Sequence, residues 1–418
     1  MRSSRCLFAL VFLLTLVGSG VDAVTVSKTE VPHNRSVTEV LPQNMISGPH
    51  YRVRETVVSY GYMNHFIVDS DFGVFEVTGD AALRKLLREI QAIAKLREIK
   101  KGQAYLDAIK KAGKQPLEFG ANLITDPVDT ISGVPKGVAR LFQNIGTSLT
   151  TQTKPGEDSR MEQALAVSSY KRDYAYQMGV DVYSSNPVLQ KELNSLGWAG
   201  ALGSLSVSAA LAPVGGPAVT VFSTTRLSQQ FSDLLRAEPP QRLRQINSEK
   251  LAAMGVRKDL AEQFLDHPSF TPRHDTVIVG SIEALSGANG RDAFIELCLS
   301  AGDEESANFF MQMAETLRGY HEKISPVKEL TVLRPVVFAR SVNNDVLVPF
   351  PLDYGFWTER ADRLVPKLIN DYRASSPRKP NKIEVWVTGR VTPLAKQQLN
   401  GLRVQVVEQV DNRIAFVD

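Results

Sequence analysis

The stretch GWAGALGSLSVSAALAPVGGPAVTVF, residues 197–222, lies within a segment, Leu193 to Thr225, that carries no charged side chain. The segment is longer than the roughly 20 apolar residues that cross a bilayer, so its reading decides between a membrane protein and a globular body. Its composition is Ala, Gly, Ser and Val with little Leu or Ile, which is marginal for insertion. Near its centre, APVGGPAV at 212–219 sets two prolines around two glycines. Proline lacks the amide that a continuous helix needs, so the segment reads as two short pieces. We expect a helical hairpin buried inside the protein, ahead of a membrane-inserting hairpin and of a single span. Gly197, Gly200 and Gly203 permit close helix approach in either setting. For a surface-active hairpin, Trp198 at the entrance and Arg226 at the exit are the candidate contacts with a membrane or a partner.

Outward from this segment the composition is that of a globular protein. Apolar residues make up 43% and charged residues 22% of 418, so disorder is not the default, and the length suggests two or three cores. The net charge is only +3, with basic and acidic residues interspersed, which argues against nucleic acid as a partner. At the start, Arg2 and Arg5 flank or precede the apolar run CLFALVFLLTLVG, and VDA follows. Residues 1–23 therefore read as a signal peptide cleaved after about Ala23. Cleavage removes Cys6 and leaves Cys298 alone, so no intramolecular disulfide can form. A large exported eukaryotic protein without one would be unusual, which points to the bacterial periplasm or cell envelope, or to secretion.

The rest of the chain divides by periodicity. Residues 24–48 mix Pro32, Pro42, Asn34 and Ser36 with little pattern and read as a flexible leader. Residues 49–160 read as a strand meander plus amphipathic helices. YRVRETVVSYGYMNHFIVDSDFGVFEVTG alternates in polarity, Asp80 is placed to cap a helix, and Leu83, Leu86, Leu87, Ile90 and Ile93 recur on one helical face. Gly102 ends or interrupts that helix. Residues 161–325, which include 193–225, read as a helical bundle. Gly179 stops one helix, Asn186-Pro187 starts the next, and Ile278, Ile282 and Leu285 share an apolar face, as do Phe309, Phe310, Met313, Leu317 and Tyr320. Residues 326–418 read as a small α/β domain. It comprises a hairpin turning at Asn343-Asn344-Asp345, a helix from Thr358 to about Tyr372, and a strand, helix, strand unit in which Thr392 caps the helix. The fold class expected is α+β, predominantly helical.

Chemistry-bearing motifs are sparse. FLDHPSFTPRHDT brings Asp266, His267, His274 and Asp275 close in sequence but lacks the spacing that puts two ligands on one helical face, so it reads as a polar inter-helix loop with no metal site. The glycines at 133–137 do not form a phosphate loop, no nucleophile elbow follows residue 23, and no cofactor motif occurs. One candidate remains. In EVWVTGRVTP a strand ends and a helix begins, where α/β sheets place ligands, and Gly389, Arg390 and Thr392 with the free amides there are candidates to hold an anion. These features suggest an exported bacterial envelope protein that binds a protein partner or a membrane surface without catalysis. An exported hydrolase or ligand-binding enzyme with a site assembled from distant residues is one alternative. A secreted toxin that inserts the 193–225 hairpin is another.

Overall fold

A computed structural model describes residues 28–60, 62–112, 157–203, 205–208, 226–333 and 335–417. The region expected to be a signal peptide, residues 113–156 and the Pro/Gly-rich half of the charge-free segment, 209–225, lie outside the described residues. The N-terminal part starts with β1 (Arg35–Ser36), two single-turn helices, α1 (Val37–Val40) and α2 (Gln43–Ile46), and β2 (Ser47–Gly48). From Lys28 onward the segment expected to be a flexible leader is therefore built into the fold. Burial is the reason: Val37 and Leu41 sit in the core with Val53, Val57 and Phe66.

Four longer strands follow: β3 (Tyr51–Val53), β4 (Thr56–Ser59), β5 (Asn64–Ser70) and β6 (Gly73–Thr78). β3 and β4 pair with successive parts of β5, and β6 pairs with it by a tight hairpin, all antiparallel. Alternation along β5 turns Asn64, Phe66 and Val68 inward. α3 (Asp80–Lys101) lays Leu83, Leu86, Leu87 and Ile90 on this sheet. Its second half, with Ile93, Leu96 and Ile99, faces a different core formed with α4 (Gln103–Ala112), α5 (Glu157–Met178) and α6 (Pro187–Gly203). Gly102 interrupts α3 and α4 as the sequence predicts. Gly179 ends α5 at φ +65°, and the Asn186 Oδ1 accepts the Val188 amide at 3.1 Å to cap α6.

The described half of the charge-free segment is core. Leu193, Leu196 and Ala199 are fully buried in α6. A Cβ at Gly197 would stand 2.9 Å from the Val167 carbonyl oxygen, one at Gly200 would stand 2.5 Å from the Tyr170 ring, and one at Gly203 would run into the Ala108 backbone. The glycines thus bring α4 and α5 to backbone distance from α6. Among the described residues no helix is long and apolar enough to cross a membrane.

Among the described residues six helices form the bundle: α7 (Arg226–Ala237), α8 (Pro240–Ala253), α9 (Lys258–Leu265), α10 (Pro272–Glu283), α11 (Arg291–Cys298) and α12 (Glu304–Lys323). Ile278, Ile282, Leu285, Phe310, Met313, Leu317 and Tyr320 are buried as their spacing predicts. Phe309 is partly buried against the same core, with its ring edge-on to Phe350. The stretch expected to be a polar loop is a loop only in its middle. Thr271 caps α10, so His274 and Asp275 occupy a first helical turn and are buried.

The C-terminal part comprises β7 (Val327–Leu333), β8 (Val336–Ser341), β9 (Val346–Pro349), β10 (Tyr354–Gly355), α13 (Glu359–Ser375), β11 (Ile383–Trp386), β12 (Arg390–Val391), α14 (Pro393–Gly401) and β13 (Gln405–Val407). Its main sheet has the order β13-β11-β9-β8-β7. β9, β11 and β13 run parallel, and β7, β8 and β9 form an antiparallel meander whose expected turn holds Asn344 at φ +63°. One face of this sheet, with Val327, Leu330, Ala339, Leu347 and Trp386, shares a core with the bundle residues Phe294, Leu317 and Tyr320. The other face packs on α13 and α14, where the Phe338 and Tyr372 rings stack with centroids 4.2 Å apart. The core therefore runs without a break across residue 326, where the sequence suggested a boundary. The fold is α+β and predominantly helical.

Candidate functional site: a shielded carboxylate pair

α3 has no cap from its own end. Gly79 occupies the cap position at φ +101° and has no side chain, while Asp80, expected to be the cap, is the first helical residue. The missing acceptor arrives from 273 residues away. Asp353 Oδ1 accepts the Asp80 amide at 3.1 Å, and its Oδ2 accepts the Asn64 amide at 2.8 Å. Asp353 follows β9, and its own amide donates to the Tyr62 carbonyl at 2.9 Å. One side chain thus fastens the C-terminal sheet to the start of β5 and to the positive end of α3.

Asp80 shares this site. Its Oδ1 accepts Asn64 Nδ2 at 2.8 Å, and Asn64 Oδ1 accepts Arg35 Nη2 at 2.6 Å. The Arg35 guanidinium lies 4.0 Å over the Tyr354 ring. Arg84 on α3 and the exposed Asp411 add their charges to the surroundings. Packing around the pair removes water from the carboxylates, and this is the main reason both are harder to ionise than usual. For Asp353 the like charge of Asp80 adds to burial and outweighs its two amide donors, and its pKa is pushed up to about 8. Asn64, Arg84 and Arg35 pull Asp80 back toward the charged form without overcoming burial. The Asp353 carboxyl is therefore largely protonated at neutral pH, and ionising either group raises the cost of ionising the other.

A second ionic junction lies one turn further along α3. Lys85 Nζ stands 3.2 Å from Asp181 Oδ2 and 3.7 Å from Glu304 Oε1. Burial opposes both charges, but their attraction prevails, so Lys85 is raised and Asp181 lowered. Further on, Glu89 Oε2 accepts Asn186 Nδ2 at 3.0 Å, and Glu192 of α6 takes Arg97 at 2.9 Å and Lys100 at 2.8 Å. Nearby, the buried His274 ring is held between Thr271 Oγ1 at 2.9 Å and Asn308 Oδ1 at 3.0 Å. Among the described residues no group of three or more His, Cys, Asp and Glu side chains could hold a metal ion.

The residues predicted to hold an anion border the carboxylate pair but are engaged otherwise. Gly389 lies so close to Asp353 that a Cβ would run into its backbone. The Gly389 amide donates to the Leu352 carbonyl at 2.6 Å and the Arg390 amide to the Asp353 carbonyl at 3.0 Å. The Thr392 amide likewise donates to the Gly355 carbonyl at 2.9 Å, so these three amides are bonded within the chain. Thr392 caps α14 as predicted, accepting the Ala395 amide at 3.1 Å, and its hydroxyl donates to Glu30 Oε2 at 2.6 Å. The Trp357 amide donates to the same oxygen at 2.8 Å. The Thr392 hydroxyl is therefore engaged by the protein's own Glu30 carboxylate, delivered by the segment expected to be flexible. The Arg390 side chain is exposed, Trp198 is half-buried on α6, and Arg226 is the first residue of α7.

Asp353 escaped the sequence reading because its partners are far away in the chain. A usable signal existed: VPFPLDYG places an acid just past the carboxyl end of a parallel strand, the same rule that selected Gly389. Compared with known proteins, the chain matches no family model, no curated protein and no solved structure.

Proposed function

We propose that the protein is an exported component of a bacterial cell, in the periplasm or envelope or secreted, that acts by binding a protein partner or a membrane surface and not by catalysis. The engagement of Asp353 carries the non-catalytic part. The side chain whose protonation best suits acid–base work has both oxygens on backbone amides of other elements, which makes it a fastener. Export rests on Arg2, Arg5, the apolar run and VDA at the start of the chain. A bacterial source is supported by a mature chain with one cysteine, Cys298, which is buried and free.

The hydrolase alternative draws on the same pair, since two carboxylates from distant positions, one protonated at neutral pH, are the makings of a general acid. The toxin alternative would need the 193–225 segment, whose described half packs as core against α4 and α5. Fractionation of bacteria expressing the full chain, with high-salt and carbonate washes and intact-mass measurement, tests the proposal. The expected result is a chain that starts at Val24 and is recovered from the periplasm, the medium or a salt wash. A mass that retains residues 1–23 in a cytosolic pool overturns export. Retention through carbonate supports an inserted segment. Turnover of an ester or glycoside by the purified protein, abolished in a folded Asp353→Asn variant, supports the hydrolase.

A further inference from the structure

At the C-terminal ends of α13 and α14 an open cleft of about 670 Å³ is lined by four cations, Arg373, Lys379, Lys382 and Arg403, with Pro380 and Asn381 among its other walls and no carboxylate. It lies at the opposite end of the parallel strands from the Asp353 site, beside the start of β11 and just before β13.

Two of the four cations are committed within the protein. Arg373 Nη2 donates to the Leu402 carbonyl at 2.7 Å, and Lys382 Nζ pairs with Glu384 at 2.9 Å. Lys379 and Arg403 are exposed and have no side-chain partner among the described residues. Their backbone is nevertheless fixed, the Arg403 amide by donating to the Asn400 carbonyl at 2.9 Å. Asn344 Nδ2 donates to the Lys379 carbonyl at 2.8 Å, and Asn381 Nδ2 donates to the Asn343 carbonyl at 2.8 Å. The cleft wall is thus tied to the β8–β9 turn, which lowers the ordering cost of binding. Arg403 sits at φ +55°, a conformation that glycine or asparagine adopts at least cost. A residue chosen for backbone comfort would be glycine; this position carries a guanidinium.

Charge balance specifies the ligand. Two helix C-termini contribute about one negative charge together, and Glu384 offsets Lys382. Asp345, 3.9 Å from Lys382, removes a further charge, so Lys379 and Arg403 remain as the two uncommitted cations, a point charge and a planar fork that complement the oxygens of a phosphate group. We propose that this cleft binds the phosphate group of a ligand, presented either by a soluble phosphate compound or by a lipid headgroup. This rests on the reading of the protein as a binder and names the chemistry of what is bound.

The test uses the full chain at low salt, with calorimetric titration of inorganic pyrophosphate and co-sedimentation with phosphatidylcholine vesicles containing phosphatidic acid. The comparison is the double variant Lys379→Gln, Arg403→Gly, whose thermal midpoint should match or exceed the parent's because glycine relieves the left-handed backbone. Binding of either probe by the parent, weakened about tenfold or more in the variant, is the expected result. Pyrophosphate binding without vesicle binding assigns a soluble ligand, and vesicle binding that salt reverses assigns a headgroup. If the parent binds neither probe, or the folded variant binds as well as the parent, the cleft is not a phosphate site. That failure would leave the fractionation result untouched, so the two proposals fail separately.

Discussion

Helices α3 and α6 pack against each other, yet they join their neighbours by opposite means. α3 reaches outward with charge: its head meets Asp353, Lys85 meets Asp181 and Glu304, and Arg97 and Lys100 meet Glu192. Beyond Glu192, α6 offers Gly197, Gly200 and Gly203 and lets two helices touch its backbone. A charged junction can adjust its long side chains but depends on protonation and loses heavily when one partner goes. A glycine junction is indifferent to pH and has no slack. Along α3 the junctions at Asp353 and at Lys85 differ again, since the first is held by backbone amides on one carboxyl group and the second by opposite charges.

The largest break should come from Lys85→Met. It leaves Asp181, whose side chain is 3% exposed, without its closest cation. Urea unfolding at pH 7 should show a loss of about 3 kcal/mol; an unchanged midpoint would mean that Arg273 and the Tyr183 amide suffice to hold Asp181 charged. Next is Gly203→Ala, where the new methyl must displace the Ala108 backbone. The expected cost is about 1–3 kcal/mol, and it should be equal at pH 5 and pH 9, unlike any change to the head of α3.

Asp353 sharpens the comparison through pH. Its folded pKa of about 8 lies above its ordinary value of 3.8. Between these values the folded protein holds a proton that the unfolded chain has released, so this group's contribution to stability falls as pH rises from about 4 to about 8. Burial pushes Glu89 and Asp275 the same way, so the measurement is the difference in slope between the parent and Asp353→Asn. The parent should lose more stability over that range than the variant. The Lys85–Asp181 pair adds no slope there, because the raised lysine titrates above the window and the lowered aspartate below it. The smallest effect belongs to Asp80→Asn, which keeps an oxygen for Asn64 and removes the like charge. Stability should change by less than about 0.5 kcal/mol at pH 5 and should rise relative to the parent at pH 9; a loss at pH 9 would mean that Asp80 does not repel Asp353.

What could be read in the sequence was what neighbouring residues decide. The β5–β6 hairpin, the Asn186-Pro187 helix start, the buried face of α12 and the Thr392 cap follow from patterns within a few residues. The leader was misread because its order comes from Trp357 and Thr392, and from a core that Val37 enters from afar. β7 went unnoticed because adjacent Lys328 and Glu329 spoil its alternation, and a bulge there restores the register. At the candidate site the sequence points to the carboxyl end of the parallel strands through Gly389, whose close approach to Asp353 the structure shows, while Asp353 itself lies on another loop and its partners are too distant in the chain to form a local pattern.

The Glu30 tie has a consequence for synthesis. Glu30 precedes Trp357 by 327 residues and Thr392 by 362. A ribosome adding about 5–20 residues per second needs roughly 20–70 s to supply the second partner after Glu30 is made. For that interval the start of the body has only its nearer contacts, and the lock closes only after Thr392 has been made. Whatever handles the nascent N-terminus therefore meets a chain whose first segment is still unlatched.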